Sequence, residues 1–329
     1  MGELIVDADV LARTRFGSSP WAETLAGLSI LLAPQVQPWH RDWRTAHLPQ
    51  LRARLAGDEV AAALVRAAFS RTWTADFLTV PPHAPDLTLD EELEHLESLP
   101  DDRIRADLEY VSGPLPAVLG ATGLAARAAE LLRWTWRTGI APEWERRRRV
   151  LRADVVSRTA RLSTEGWSGV LDGIGPGVRW LAHGRLQVSA QPYPPRDIRG
   201  RDLMLIAAHS RGSSVSWHLP DRYALVYPVV GVFATAPAPL PEPLARLLGR
   251  SRARVLTRLR TPGSTSALGA ELGLPVGSVG GHLRVLLDAG LVERRRSGRE
   301  VLYWWSDAGQ ALVTAAGAVP DDAGAPQPG

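Results

Sequence analysis

The stretch Ser266-Ala-Leu-Gly-Ala-Glu-Leu-Gly-Leu-Pro-Val-Gly-Ser-Val-Gly-Gly-His-Leu-Arg-Val-Leu-Leu-Asp-Ala-Gly-Leu-Val292 decides the fold of the C-terminal part of this 329-residue chain. Ser264 or Thr265 is placed to cap a short helix over roughly 265–272 that carries Leu268 and Leu272. Gly273 suits the left-handed residue that ends a helix, and the apolar Leu274 anchors the turn. Pro275 to Ser278 opens another helix, which buries Val279, Leu283 and Leu286–Leu287 and ends at Gly290.

Working outward, a preceding helix is expected from about Leu244 to Leu259, with Leu247, Leu248, Val255, Leu256 and Leu259 on its apolar face and a break at Thr261-Pro-Gly263. On the other side, Leu291-Val292 opens a strand, Arg294-Arg-Arg-Ser-Gly-Arg299 forms a basic hairpin tip, and Val301-Leu-Tyr-Trp-Trp305 returns as a second strand. Asp307 onward reads as a last helix. Two short helices around a Gly-containing turn, followed by a basic β-hairpin, describe a winged helix-turn-helix. In such a module the turn sets the second helix of the pair into the major groove, and the wing brings Arg to phosphates or the minor groove.

The charge distribution agrees. Leu244 to Trp304 holds eleven Arg against four acids, a net +7, whereas the whole chain is only +3, which leaves −4 elsewhere. A compact basic segment on a slightly acidic chain is the footprint of a polyanion-binding surface; a solvated Arg-rich face is the plainer alternative.

The run 266–292, with the wing residues Arg294-Arg-Arg-Ser-Gly-Arg-Glu-Val-Leu-Tyr303, resembles the ArsR-type family of bacterial transcriptional regulators over about seventy residues. Leu11-Ala-Arg-Thr-Arg-Phe16 and Pro20-Trp-Ala-Glu-Thr-Leu25 resemble a domain of unknown function that precedes such modules in actinobacterial regulators. The first resemblance implies a homodimeric repressor released from double-stranded DNA by an effector. Carried to matching positions, it implies DNA contacts from Ser264, Thr265, Ser278, Gly280, Gly281, His282 and Arg284, and wing contacts from Arg295, Arg296 and Arg299.

The sequence departs from that family at Gly269, where Ala is usual, and at Gly280-Gly281, where larger polar residues usually reach bases. The metal site of the metal-sensing members is not carried over, because its cysteines are missing and no paired His/Asp spacing replaces it on the terminal helix. No cofactor is implied, and the effector, a possible small molecule, is a non-thiolate one.

The rest of the chain reads as a mostly helical domain with a small, largely antiparallel sheet. Glu3–Val6 is a short strand, Asp7 caps a helix running through Leu11, and Trp21–Leu32 has helical periodicity. Further helices fall near 48–56, 58–71, 88–98, 101–110, 121–138 and Pro142–Leu162. Val178–Leu181 and Arg185–Val188 form a hairpin about His183-Gly184; Leu203–Ala208, Ser213–His218 and Ala224–Val230 are further strands.

The fold class is therefore α+β, with four segments: an N-terminal sensor or interaction domain (1–236), a Pro-rich linker (237–243), the winged helix-turn-helix (244–317) and a disordered tail (318–329). The 45% apolar content supports a sizeable core, and the absence of Cys excludes disulfides and thiolate chemistry. The longest N-terminal apolar stretch, Leu25–Pro34, is short for a membrane span, and no basic leader precedes it, so the expected setting is the cytoplasm, away from membranes.

Other features carry less. Trp21, Trp39, Trp43, Trp73, Trp134 and Trp136 either line an effector pocket or build an aromatic core, and the core is the favoured reading. His40, Asp42 and His47 match no metal-ligand spacing well. Gly173-Ile-Gly-Pro-Gly177 has the composition of a phosphate loop but reads as a turn, since Pro176 lacks an N–H. No catalytic motif appears, so an enzyme is the weakest rival and a protein-binding winged helix the stronger one.

Overall fold

A computed structural model describes residues 2–36, 40–70, 73–172, 174–175, 177–181, 183–189, 191, 193–217, 222–229, 240–259, 263–297 and 300–316. The expected tail 318–329 and residues 237–239 of the expected linker lie outside the described residues. The chain forms two compact units, Met1–Val229 and Val230–Gly329.

The first unit starts with β1 (Gly2–Ile5), α1 (Ala8–Arg13) and β2 (Arg15–Ser18). Asp7 caps α1 by accepting from the Val10 N–H. Helices α2 (Pro20–Leu32), α3 (Arg41–Ala56), α4 (Glu59–Ala68), α5 (Leu89–Glu97), α6 (Asp101–Ser112) and α7 (Leu124–Thr135) follow. Leu28 of α2, Leu64 and Val65 of α4, and Ala128, Leu131 and Leu132 of α7 meet in one apolar layer. After a π-helical turn at Trp136–Ile140, α8 (Trp144–Leu171) runs past the expected end at Leu162 and kinks at Gly166, whose φ of 64° lies in the left-handed region.

The remaining strands, β3 (Arg179–Leu181), β4 (Arg185–Ser189), β5 (Arg196–Asp197), β6 (Asp202–Ala208), β7 (Ser214–Val215) and β8 (Arg222–Pro228), form two sheets with β1 and β2. One has the order β3-β4-β1-β5 and contains the expected antiparallel hairpin. The other, β2-β6-β8-β7, pairs β2, β6 and β8 in parallel, an arrangement the sequence reading did not anticipate. The apolar runs of β6 and β8 fit strands covered on both faces. Both sheets take in a strand from the first eighteen residues: Gly2 pairs with Ser189, and Arg15 with Met204. Their shared core includes Leu4, Leu186, Leu205, Leu225 and Tyr227, with Leu151 and Leu171 from α8.

The second unit contains α9 (Glu242–Leu248), α10 (Arg250–Arg258), β9 (Gly263–Ser264), α11 (Thr265–Leu272), α12 (Val276–Asp288), β10 (Val292–Ser297), β11 (Glu300–Trp305) and α13 (Asp307–Ala315). Two sequence expectations are corrected here. The single helix expected over 244–259 is two helices, because Gly249 takes φ 81°, ends α9 and begins α10. Glu242 and Pro243, assigned to the linker, belong to α9; a Pro in the first helical turn gives up an N–H that has no intrahelical acceptor anyway. The three-stranded sheet has the order β10-β11-β9. Leu244, Val255, Leu256, Leu268, Val279, Leu283, Leu286 and Val313 form the core.

Candidate nucleic-acid interface

The turn between α11 and α12 is set by backbone geometry. Gly273 adopts φ 65°, and its N–H and that of Leu274 both reach back to the Gly269 carbonyl. A Cβ on Gly269 would lie 3.0 Å from the Leu274 carbonyl and 3.4 Å from Val276 Cγ2. The departure from Ala at that position therefore has a local reason: the turn closes tightly over it.

Helix α12 buries Val279, Leu283 and Leu286. The helical period then sends Gly277, Gly281, Arg284 and Asp288 outward, and all four are exposed, as is Ser278. Gly280 and His282 are half-buried at the two flanks. A side chain at Gly281 would meet nothing within 4 Å, and one at Gly280 would meet only Thr265 Cγ2 at 3.8 Å. The N-terminal half of the outward face is thus nearly bare backbone plus Ser278. Thr265 stands beside it at the start of α11, half-buried.

Ser264 is a correction. It is 6% exposed, its hydroxyl accepts from the Ala267 N–H at 3.3 Å to cap α11, and its backbone pairs with Leu302. Its polar group is used within the fold and does not face outward with the α12 residues.

The wing register follows from one buried residue. Val292 is 2% exposed and pairs with Trp305, so the two-residue period puts Arg294, opposite Tyr303, and Arg296, opposite Val301, on the same side as Val292. Both Arg are exposed. Arg295 pairs through its backbone with Leu302, out of phase with that set, and Arg299 lies outside the described residues. Arg294 was not singled out as a contact in the sequence reading, although the alternation from Val292 was available to find it. It lines one open depression with Gly280, Arg284, Leu287, Asp288 and Tyr303.

The two wing tryptophans serve the scaffold. Trp305 donates from Nε1 to the Leu256 carbonyl at 2.6 Å, and Trp304 donates to Glu293 at 3.1 Å. Several Arg of the basic segment do the same. Arg252 donates to the Leu248 carbonyl at 2.8 Å, Arg254 donates to the Leu272 carbonyl at the end of α11 at 2.8 Å, and Arg258 pairs with Glu271, the Nη2–Oε1 contact being 2.7 Å. These guanidiniums satisfy helix-end carbonyls and a carboxylate. The exposed charge next to the turn is left to Arg284 and Arg294.

A helix-turn-helix domain family model matches residues 240–295, from just before α9 into the wing strand. Comparison with curated proteins gives no match. The second unit carries a DNA-binding helix-turn-helix of the kind found in transcription regulators.

The first unit encloses a small cluster of charged groups. Glu23 on α2 and Arg147 on α8, both fully buried, pair at 2.6 Å. Arg147 also holds Glu143 at 2.9 Å and lies over the Trp43 ring, 5.5 Å from its centroid. His209, which follows β6, donates its backbone N–H to Glu23 at 2.9 Å and meets the same carboxylate through Nδ1 at 2.9 Å. Burial opposes ionisation of Glu23, but His209 and Arg147 outweigh it and hold the carboxyl well below the usual range. Burial, together with His209, Arg147 and Arg211, pushes His40 down to about 3. Nearby, Glu92 of α5 accepts from the Trp21 N–H at 2.7 Å and the Ser19 hydroxyl at 2.9 Å, and burial pushes it up to about 7.

The described tryptophans are spread over separate clusters: Trp43 stacked with His47, Trp136 against Trp144, and Trp73 with Tyr110, Tyr193 and Trp217. Trp39 lies outside the described residues, as do Gly173 and Pro176 of the Gly-rich turn. Among the described residues no three His, Asp or Glu come together to hold a metal ion, and no helix is long and apolar enough to cross a membrane.

Proposed function

We propose that the protein is a homodimeric transcriptional repressor of the ArsR type, acting in the cytoplasm. Its C-terminal winged helix binds an operator of two inverted half-sites about one helical turn apart. The N-terminal domain, reached through the Pro-rich segment, senses a non-thiolate effector or a protein. The observation that carries the reading is the exposed face of α12 beside a wing strand that displays Arg294, within the segment matched by a helix-turn-helix family.

Ser278, Gly280, Gly281, His282 and Arg284 face the major groove, with Thr265 at its edge. Arg294, Arg295, Arg296 and Arg299 serve the backbone or the minor groove. Ser264 acts from behind, by fixing the start of α11. An effector that prefers one spacing of the two recognition helices shifts the DNA-bound population by its differential affinity.

The test is fluorescence anisotropy of the purified protein on the DNA upstream of its own coding sequence and on a scrambled duplex, at two salt concentrations. Tight, sequence-preferring binding by a dimer is expected. Equal weak binding to both duplexes, or a monomer at micromolar concentration, contradicts the reading.

A further inference from the structure

The depression between α12 and the wing has a definite chemistry. Its lining brings the side chain of Arg284, from the recognition helix, and that of Arg294, from β10, to one concavity, with Tyr303 between strand and helix and Asp288 as the single carboxylate. Both Arg are exposed, and among the described residues neither forms an ion pair. The floor at Gly280 has no side chain, and a Cβ there would meet only Thr265 Cγ2 at 3.8 Å. Arg294 is held on this side because Val292, two residues earlier, is locked into the core opposite Trp305. Two Arg from different elements lining one concavity offer planar donor sets that match the several oxygens of a tetrahedral oxyanion.

We propose that this depression holds one backbone phosphate of duplex DNA, clamped between Arg284 and Arg294. It thereby fixes recognition helix and wing to the same point of the same strand. The proposal rests on the reading that this unit binds DNA, and it differs from the contacts implied by family resemblance in assigning the wing's phosphate contact to Arg294.

The experiment uses the full-length chain and a mixed-sequence duplex long enough for two half-sites, with affinity measured across a salt series for the wild type, R284A, R294A, R284A/R294A, R296A and G280L. Each single Arg variant is expected to weaken binding about tenfold, as for loss of one charge-assisted contact. Because both Arg hold one phosphate, the double variant should lose far less than the product of the two single effects, and its salt slope should flatten by about 0.9 per site. Leucine at Gly280 fills the depression while both Arg remain, and it should weaken binding to the level of the double variant with no fall in melting temperature.

Two outcomes overturn the clamp while leaving DNA binding intact. In one, the two single effects multiply and the slope falls by about 1.8 per site. In the other, R294A binds like the wild type while R296A does not. A wild-type protein that binds no duplex at any salt concentration removes the underlying reading as well.

Discussion

The two units treat charge in opposite ways. The first encloses Glu23, Arg147 and His209 at the meeting of α2, α8 and the end of β6, where Arg147 and His209 both meet the Glu23 carboxylate and all three are buried. The second holds part of its Arg set on helix ends and carries Arg284 and Arg294 outward. Buried charges must be matched on the spot, because the cost of leaving one alone is several kcal/mol. Exposed charges contribute little to stability and are available to a partner. Arg147 is therefore structural, whereas Arg284 and Arg294 are the Arg proposed to meet DNA, and substitution should separate the two roles.

The largest effect is expected at the buried triad. Arg147→Ala or Glu23→Ala leaves an uncompensated ion in the interior and should cost about 3–5 kcal/mol in chemical denaturation followed by tryptophan fluorescence. A loss below about 1 kcal/mol would mean that the network is less tightly coupled than its geometry indicates. R284A and R294A, by contrast, should change stability by less than about 0.5 kcal/mol, as surface substitutions do.

An intermediate effect tests packing in the second unit. A Cβ at Gly309 would lie 1.9 Å from the Leu291 carbonyl, at the seat of α13 against the turn after α12. Gly309→Ala should cost about 1–3 kcal/mol, as overpacking does, and lower the melting temperature of the second unit.

The pH dependence of stability sharpens the contrast again. Burial pushes the Glu92 carboxyl up to about 7 in the folded protein, from an ordinary value of 4.5. A raised folded value means that the folded state binds the proton more tightly, so this contribution is fully present below about 4.5 and is lost as pH rises through 7. His40 acts in the opposite sense. Its value is lowered to about 3, so its contribution is present above the ordinary histidine range and is lost as pH falls toward 3. Glu92→Gln keeps an acceptor for the Trp21 N–H and the Ser19 hydroxyl but removes the titration. The variant should match the wild type in stability at pH 5 and exceed it at pH 8; a difference that is constant across that range would contradict the assignment.

The smallest expected change is a gain. Gly281→Ala adds a methyl group with no neighbour within 4 Å on an exposed helix face and should stabilise α12 by up to about 1 kcal/mol. If that face meets DNA, the same variant should bind duplex more weakly despite its greater stability.

These contrasts also explain what the sequence revealed. Local rules were enough for the turn, α12 and the wing: Gly273 as the left-handed stop, Val279, Leu283 and Leu286 as the inner face of α12, and the alternation through the wing were each readable within a few residues. The split at Gly249 was missed because a glycine inside an apolar helical pattern does not announce its φ.

In the first unit the helices were legible, but the parallel pairing of β2 with β6, between residues near 15 and 204, was not, since no local signal encodes a partner so distant in sequence. The buried triad was hidden for the same reason. Arg147 sits within Arg146-Arg-Arg-Arg149, which reads as a solvated charge run, and Glu23 is one acid in an apolar helix. Only the fold shows that they meet. Arg294 differs: it was within reach of the sequence, because burying Val292 fixes which alternate Arg turn toward α12.

The most direct test of the central claim is hydrogen exchange of the full-length chain with and without the duplex it binds best. The account predicts added protection confined to residues 276–285 of α12 and to the β10–β11 wing, with the amides around Glu23 and His209 unchanged. Protection confined to the Met1–Val229 unit, with α12 and the wing unaffected, would contradict it.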